Sequence, residues 1–198
     1  MDKQKQTTAV VFSGSFNPPH IGHVAMANYI TEFFPADELW FVVSPHNPLK
    51  SKTELADFNH RLCMVKQTFE KLKLPVTVSD IEETLPQPSY TINTLDALSE
   101  QYPNKKWQLL VGSDNLEKFH KWHNFEKIID KYQLLVYPRL GFQNNELCEK
   151  YKVIKLNAPI IEISSTFIRE NISKAHNLSG FLPCGVYEYI KKFELYED

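Results

Sequence analysis

The sequence predicts an α/β protein of the Rossmann-like, doubly wound type, with a mainly parallel sheet and helices on both of its faces. Two patterns indicate this class. Apolar runs of strand length alternate with amphipathic stretches of helix length along the chain. The apolar runs are continuous, which is typical of strands buried on both faces. The 198 residues suffice for one sizeable core, so we predict a single domain, residues 1–198.

The first half of the chain predicts three strands and three helices. The predicted strands are short apolar runs at residues 9–14, 38–44 and 76–82; the first ends in small residues, and prolines follow the second. The predicted helices cover residues 20–34, 59–72 and 90–102. Their apolar stripes predict these buried positions: Ile21, Val24, Ala25, Asn28 and Ile30 in the first helix, and Leu62, Met64, Val65 and Phe69 in the second.

The second half continues the alternation. Strands are predicted at residues 106–114, 133–139, 151–157 and 160–164. The segment EKIIDKY belongs to a predicted helix, and further helices are predicted from Ser165 and over residues 183–193. The last of these begins with a proline, which is tolerated in a first helical turn. In such folds ligands bind beyond the carboxyl ends of the strands, so we expect a binding site in the loops that follow strands.

Composition excludes several classes of protein. A formal net charge of −2 argues against a mainly nucleic-acid-binding surface. The three cysteines lie far apart without a CxxC pair, so neither a disulfide framework nor a zinc ribbon is indicated. The first residues lack an apolar signal core, and no apolar run is long enough to span a bilayer. We predict a cytoplasmic protein without nucleic-acid or membrane partners; its oligomeric state is left open, with a homo-oligomer as one option.

The segment GSFNPPHIGH joins the first predicted strand to the first predicted helix. Gly14 allows close approach of the backbone to a ligand, and Gly22 adds no side chain that would block one. His20 and His23 project from one face of the first turn, where free N–H groups carry partial positive charge. The pattern predicts a phosphate site, with a surface histidine pair as the alternative. No third nearby ligand completes a zinc set, so no resident metal is predicted.

A second loop, ISSTFIR, places three hydroxyl side chains before an arginine. Arg169 can hold phosphate oxygens in a bidentate manner. Ser164 or Ser165 could instead serve only as the cap of the following helix. A third loop contains Gly112, Ser113 and Asp114. Its acid could bind a ribose hydroxyl, as acids do in other doubly wound folds, or could cap a helix.

The motif GSFNPPHIGH resembles the signature of the nucleotidyltransferase superfamily with the HxGH motif, which class I aminoacyl-tRNA synthetases share. ISSTFIR is similar to the second motif of that superfamily, ISSTxIR. The resemblance implies that His20, His23 and Arg169 act on the phosphates of ATP during attack on its α-phosphorus, with Mg²⁺ carried by the triphosphate. It implies further ATP contacts at Gly14, Ser15, Phe16, Gly22, Gly112, Asp114, Ser164, Ser165 and Thr166.

Two other segments, PSYT and FHKWHNFEKI, resemble those around the pyridine ring in bacterial nicotinate mononucleotide adenylyltransferases. The resemblance implies transfer of AMP from ATP to nicotinate mononucleotide, with release of pyrophosphate. A flat ring can stack on tryptophan, and hydroxyl or backbone N–H groups can receive a carboxylate. Alternatively, Trp122 is a packing residue, and Tyr90 and Thr91 merely begin a helix. The implied acceptor site comprises Asn17, Lys50, Ser89, Tyr90, Thr91 and Trp122.

The sequence departs from the family pattern at a few positions. Ser13 replaces the first glycine of G-G-[ST]-F, and Asn17 stands where many members have aspartate. Sister enzymes that act on nicotinamide mononucleotide or phosphopantetheine share the ATP half of the site, so both remain alternatives. A non-catalytic nucleotide-binding protein is an alternative of a different class, and an assay for ATP-dependent pyrophosphate release separates it from the enzymes.

Overall fold

In the part of the chain that the structure describes, six parallel strands form a central sheet. The computed structural model describes residues 6–45, 55–142 and 145–197. The strands are β1 (Thr7–Gly14), β2 (Glu38–Val43), β3 (Val76–Ser79), β4 (Lys105–Gly112), β5 (Gln133–Tyr137) and β6 (Ile154–Lys155). Their order is β3-β2-β1-β4-β5-β6, and every pairing is parallel. The fold class predicted from the sequence is thereby confirmed.

Helices connect the strands. They are α1 (Ile21–Phe33), α2 (Phe58–Leu72), α3 (Thr91–Gln101), α4 (Ser113–Glu117), α5 (Phe125–Lys131), α6 (Asn145–Lys150), α7 (Ser165–Ile172) and α8 (Val186–Lys192). Single 3₁₀ turns cover Ile81–Glu83, Phe119–Lys121 and Ser179–Phe181. No helix in the described ranges is both long and apolar enough to cross a membrane.

The sheet has an apolar core on each face because successive strand residues point to opposite sides. In β1, Ala9 and Val11 join the core covered by α3, α4 and α5, whereas Val10 joins the core covered by α1 and α2. A third cluster links Met64 of α2 to Ile168 of α7 and to α8. The prediction for α2 is confirmed, since its buried residues include Leu62, Met64, Val65 and Phe69.

The prediction for α1 is wrong in its detail. Of the predicted positions Ile30 is buried, Val24 and Ala25 are half-buried and Asn28 is exposed; Met26 and Ala27, which were not predicted, are buried. Ile21 packs against the third cluster rather than against the sheet. The helix therefore contacts two neighbours, and a single apolar stripe cannot describe its packing.

The strand predicted over residues 160–164 is wrong, because this segment forms an irregular connection between β6 and α7. The strand predicted over residues 151–157 pairs with β5 at Ile154 and Lys155 only. Pro159 follows and lacks the N–H group that a continued strand would need. Several predicted boundaries also shift. β3 and β4 end before Glu82 and Asp114, where helical turns begin, β5 ends at Tyr137, and the last helix begins at Val186.

Candidate active site

The strand order reverses between β1 and β4, which lie side by side in the sheet. This reversal is the position at which doubly wound folds bind ligands, beyond the carboxyl ends of the strands. β1 ends at Gly14 and β4 ends at Gly112. Two of the three loops selected from the sequence therefore emerge next to each other.

The third loop, from the far end of the chain, packs onto the first. The Ser165 hydroxyl donates to the carbonyl oxygen of Pro18 at 2.9 Å, and the Arg169 guanidinium donates to the carbonyl oxygen of Asn17 at 3.0 Å. A Cβ atom on Gly22 would lie 3.0 Å from Cγ2 of Ile163. Gly22 thus permits contact between the HxGH and ISSTxIR motifs, which form one unit.

The two histidines stand at the beginning of α1. His20 is the N-cap residue rather than the first helical residue, and its N–H donates to Nδ1 of His23 at 3.1 Å. The two rings stack with their centroids 3.8 Å apart. Because Nδ1 of His23 accepts this hydrogen bond, Nε2 carries the proton in the neutral ring and can act as a donor.

His20 is uncharged at neutral pH. The residue is 3% exposed, and its Nδ1 is buried without a hydrogen-bond partner in the part of the chain that the structure describes. Burial, together with the smaller effect of the positive charge of Arg139, lowers the pKa of His20 to about 3. At pH 7 this imidazole can therefore offer a hydrogen bond to an anion but not a full positive charge.

Acidification from pH 7 to pH 5 should destabilise the folded chain through His20. Its pKa is about 3 when folded and 6.5 ordinarily, so between these values the unfolded chain binds a proton that the folded chain does not. Above about pH 6.5 the imidazole is neutral in both states and the free energy of unfolding is unaffected. Below that pH the free energy of unfolding declines, by about 2 kcal/mol at pH 5, because the unfolded chain gains a proton. Urea unfolding at each pH should show that the free energy of unfolding of His20→Asn declines less steeply between pH 7 and pH 5 than that of the wild type. Equal declines would contradict the assignment of this pH dependence to His20.

A cavity of about 550 Å³ lies beyond the ends of β4 and β5, and we call it the Arg139 cavity. Asp114, Lys118, Arg139 and Ser164 supply polar atoms to its lining. Nε of Arg139 lies 3.8 Å from a carboxylate oxygen of Asp114. A Cβ atom on Gly112 would lie 2.3 Å from that same oxygen, so glycine is required for Asp114 to lie against the end of the strand.

A second cavity of about 310 Å³ lies beyond β1 and β4, and we call it the Trp122 cavity. Four residues selected from the sequence line it: Ser89, Tyr90, Thr91 and Trp122. The ring of Tyr90 stacks on His123 with centroids 4.4 Å apart. Nε1 of Trp122 is buried without a hydrogen-bond partner among the described residues. Asn115 lines both cavities, which are therefore neighbours.

Some selected residues have structural contacts of their own. The Phe16 ring is buried and stacks on Phe41 at 5.2 Å, so its backbone rather than its side chain is available to a ligand. The Asn17 carbonyl-type Oδ1 accepts hydrogen bonds from the Ala56 N–H and the Tyr196 hydroxyl. Thr166 is exposed on α7.

Three further selected residues are a helix cap, a residue outside the described ranges and a buried serine. Ser164 is the N-cap of α7 and accepts from the Phe167 N–H at 3.1 Å, as the capping alternative predicted. Lys50 lies outside the described residues. Ser15 is buried, and its hydroxyl has no hydrogen-bond partner among the described residues.

Buried polar atoms without a hydrogen-bond partner concentrate at this site, although Oδ1 of Asp114 and Nε of Arg139 form an ion pair with each other at 3.8 Å. The described residues contain seven such side-chain atoms, and five belong to Ser15, His20, Asp114, Trp122 and Arg139. Buried polar atoms normally have partners, so a concentration of exceptions indicates where a polar ligand binds. The same location therefore follows from the strand order, the two motifs and the polar atoms.

Three site residues were not selected from the sequence. Arg139 follows β5 and shares the Arg139 cavity with Asp114, so its position after a strand was a usable signal. Glu82 is buried in the lining of the Trp122 cavity. Arg61 of α2 is buried and donates to the carbonyl oxygens of Ser15 and Ser44, both at 2.7 Å. Burial lowers the pKa of the Arg61 guanidinium.

Comparison with known proteins identifies the family of this chain. Residues 11–171 match the model of the family described as cytidylyltransferase-like, and this range includes both motifs. The fold and the site thus define a nucleotidyltransferase of that class. A probable nicotinate-nucleotide adenylyltransferase of Flavobacterium johnsoniae is 45% identical over 192 residues, covering 94% of this chain and 97% of the relative.

A second relative carries the same description. The probable nicotinate-nucleotide adenylyltransferase of Bacteroides thetaiotaomicron is 45% identical over 183 residues, covering 92% of this chain and 90% of the relative. The chain belongs to the nicotinate-nucleotide adenylyltransferase family. The solved Plasmodium falciparum nicotinic acid mononucleotide adenylyltransferase complexed with NaAD shares the fold, with a TM-score of 0.84 and 22% identity over 96% of this chain and 98% of that chain.

Proposed function

We propose that the chain transfers AMP from ATP to nicotinate mononucleotide, giving nicotinate adenine dinucleotide and pyrophosphate as a step of NAD biosynthesis. One observation carries the proposal: two neighbouring cavities meet at Asn115, and the stacked histidines lie close to both. The His23 ring lies 6.2 Å from the ring of Phe12, which lines the Trp122 cavity. The positive charge of Arg139, which lines the other cavity, contributes to the lowered pKa of His20.

Each of the two cavities suits one half of a dinucleotide. The Arg139 cavity, with Asp114 and Lys118, suits adenosine and the triphosphate of ATP. The Trp122 cavity suits the pyridine ring, because Trp122 and Tyr90 offer aromatic surfaces and Thr91 offers a hydroxyl at the start of α3. The two relatives that are 45% identical to this chain are described as probable nicotinate-nucleotide adenylyltransferases.

The reaction needs positioning more than acid–base chemistry. An oxygen of the acceptor 5′-phosphate attacks the α-phosphorus of ATP in line, and the bond from that phosphorus to the bridging oxygen of pyrophosphate breaks. The attacking phosphate is already ionised, so no side chain has to remove a proton. Catalysis then consists of alignment and of stabilising charge in the transition state.

The side chains for charge stabilisation come from both motifs. His20 and His23 would donate hydrogen bonds to phosphate oxygens, and Arg169 would contribute a positive charge next to the first loop. Ser165 and Thr166 would add donors at the start of α7. No three His, Cys, Asp or Glu side chains of the described residues form a metal-binding group. We assign Mg²⁺ to the phosphate oxygens of ATP, where it would neutralise charge.

The test is an assay of pyrophosphate release from ATP with three acceptors at equal concentration: nicotinate mononucleotide, nicotinamide mononucleotide and phosphopantetheine. We expect release with nicotinate mononucleotide to exceed release with either of the others, and the dinucleotide to be identified by mass. Release that requires phosphopantetheine would assign a sister activity, and ATP binding without release would assign a non-catalytic role.

Trp122→Ala should weaken acceptor binding and spare ATP binding. The loss of one stacking surface is expected to raise the acceptor KM by about tenfold, while the KM for ATP changes by less than about twofold. Steady-state kinetics with each substrate varied in turn measures both values. Trp122→Phe retains an aromatic face and should have the smaller effect; equal changes in both KM values would contradict the stacking role.

A further inference from the structure

We propose that Glu82 is a specificity-determining residue whose buried carboxylate makes the Trp122 cavity selective for a cationic, pyridinium-type ring. Glu82 is 1% exposed and lines this cavity from the 3₁₀ turn that follows β3. The inference rests on the proposed function, because it assigns a physical basis for recognising the pyridine half of the acceptor.

Three hydroxyl groups from three different elements hold the carboxylate. Ser13 of β1 donates to Oε1 at 2.7 Å, and Thr94 of α3 donates to the same oxygen at 2.9 Å. Ser44, directly after β2, donates to Oε2 at 2.5 Å. In all three contacts a hydroxyl group faces a carboxylate oxygen of Glu82, which accepts from it. The position of the charge at the inner end of the cavity is therefore fixed.

The carboxylate has hydrogen-bond donors but no counter-charge. Across the described ranges, no lysine, arginine or histidine forms an ion pair with Glu82. A buried charge supported by neutral groups alone is costly, and its field extends into the neighbouring cavity because little water screens it. A ligand that brings positive charge to the inner end of the cavity would offset this cost.

A pyridine ring joined to ribose through its nitrogen carries a formal positive charge. Its binding site would therefore combine aromatic faces with a nearby negative group. Trp122 and Tyr90 supply aromatic surfaces in the same cavity, and a cationic ring binds such faces more strongly than a neutral ring of equal shape. Glu82 supplies the negative group.

The nicotinate ring also bears a carboxylate substituent, whose negative charge suits the outer part of the cavity. Lys121 and His123 line the cavity and are exposed, whereas Glu82 is buried. Basic groups thus lie towards solvent, and the carboxylate lies towards the sheet. This polarity favours a ring whose nitrogen lies nearer Glu82 and whose carboxylate substituent lies nearer solvent.

The experiment compares two acceptors that differ in ring charge alone. One is nicotinate mononucleotide, and the other is its C-nucleotide analogue, in which a neutral 3-carboxyphenyl ring replaces the pyridinium. Isothermal titration measures the Kd of each for the wild type, Glu82→Gln and Glu83→Gln. Glutamine keeps the shape and a hydrogen-bonding oxygen but removes the charge, and Glu83 is an exposed neighbour on the same turn.

We expect the wild type to bind the pyridinium acceptor about tenfold more tightly than the neutral analogue, and Glu82→Gln to lose most of this preference. Glu83→Gln should behave as the wild type does. Equal weakening of both acceptors in Glu82→Gln would overturn the proposal, because it would indicate a purely structural role. If that variant fails to fold, equal binding of both acceptors by the wild type overturns it instead. Selective binding without pyrophosphate release would refute the proposed function and leave this inference standing.

Discussion

His23→Ala is expected to lower the turnover number by about two to three orders of magnitude, which is the usual cost of removing one preorganised donor to a developing negative charge. The expectation follows from the geometry of the ring. Nδ1 accepts from the His20 N–H at 3.1 Å, and stacking on His20 holds the ring plane, so Nε2 is fixed as a donor near the start of α1. Measurement of pyrophosphate release at saturating substrates gives the turnover number directly.

A second substitution at this position distinguishes chemistry from architecture. In His23→Asn, the side-chain oxygen can still accept from the His20 N–H, but the donor at the position of Nε2 is lost. We therefore expect His23→Asn to fold like the wild type and to lose nearly as much turnover as His23→Ala. His176→Ala is the matched control, since His176 is exposed and pairs with Asn171 away from both cavities. Near-normal turnover in a folded His23→Asn would rule out the donor role.

The predictable part of the fold is the part encoded by local patterns. Strands β1, β2, β4 and β5 are continuous apolar runs, and their alternation with helices is enough to predict a parallel sheet. The segment at residues 160–164 has the same apolar character but forms no strand. Its side chains are used differently, since Ile163 packs with α7 and α8 and against Gly22. A local pattern indicates that a residue is buried but does not identify its partner.

The candidate site likewise contains residues that local motifs predict and residues that only the tertiary structure reveals. The motif residues His20, His23 and Arg169 could be selected because they lie in short, recognisable segments. The structure adds what joins the segments, such as the hydrogen bond from Arg169 to Asn17 across 152 positions of sequence. Glu82 and Arg61 could not be selected, because a charged residue in an amphipathic stretch is normally exposed. Both are buried here because groups from distant loops satisfy them.

Arg61→Met should cause the largest loss of stability of the substitutions considered. Arg61 is 1% exposed, and its guanidinium donates to four backbone carbonyl oxygens, those of Ser15, Ser44, Pro45 and Ala56. Methionine fills a similar volume but leaves these oxygens without their donor. We expect the free energy of unfolding to fall by about 3–5 kcal/mol, as measured by urea denaturation.

The same substitution should impair the site as well as the fold. Ser15 belongs to the loop that leads to His20, and Ser44 lines the Trp122 cavity and donates to Glu82. Arg61 therefore holds the backbone directly after β1 and directly after β2. We therefore expect Arg61→Met to raise the acceptor KM even at temperatures where the variant is folded. Arg61→Lys should recover only part of the stability, because an ammonium group cannot match the planar fork that reaches four carbonyls.

A control on the same helix separates this effect from a general loss of positive charge on α2. Lys66 is half exposed and lies 3.8 Å from a carboxylate oxygen of Asp80, so Lys66→Met should cost less than about 1 kcal/mol. If Arg61→Met were no less stable than Lys66→Met, the four carbonyl contacts would contribute little, and the loops would be held by their own packing. A large difference with an unchanged acceptor KM would instead restrict Arg61 to stability and exclude it from shaping the cavity.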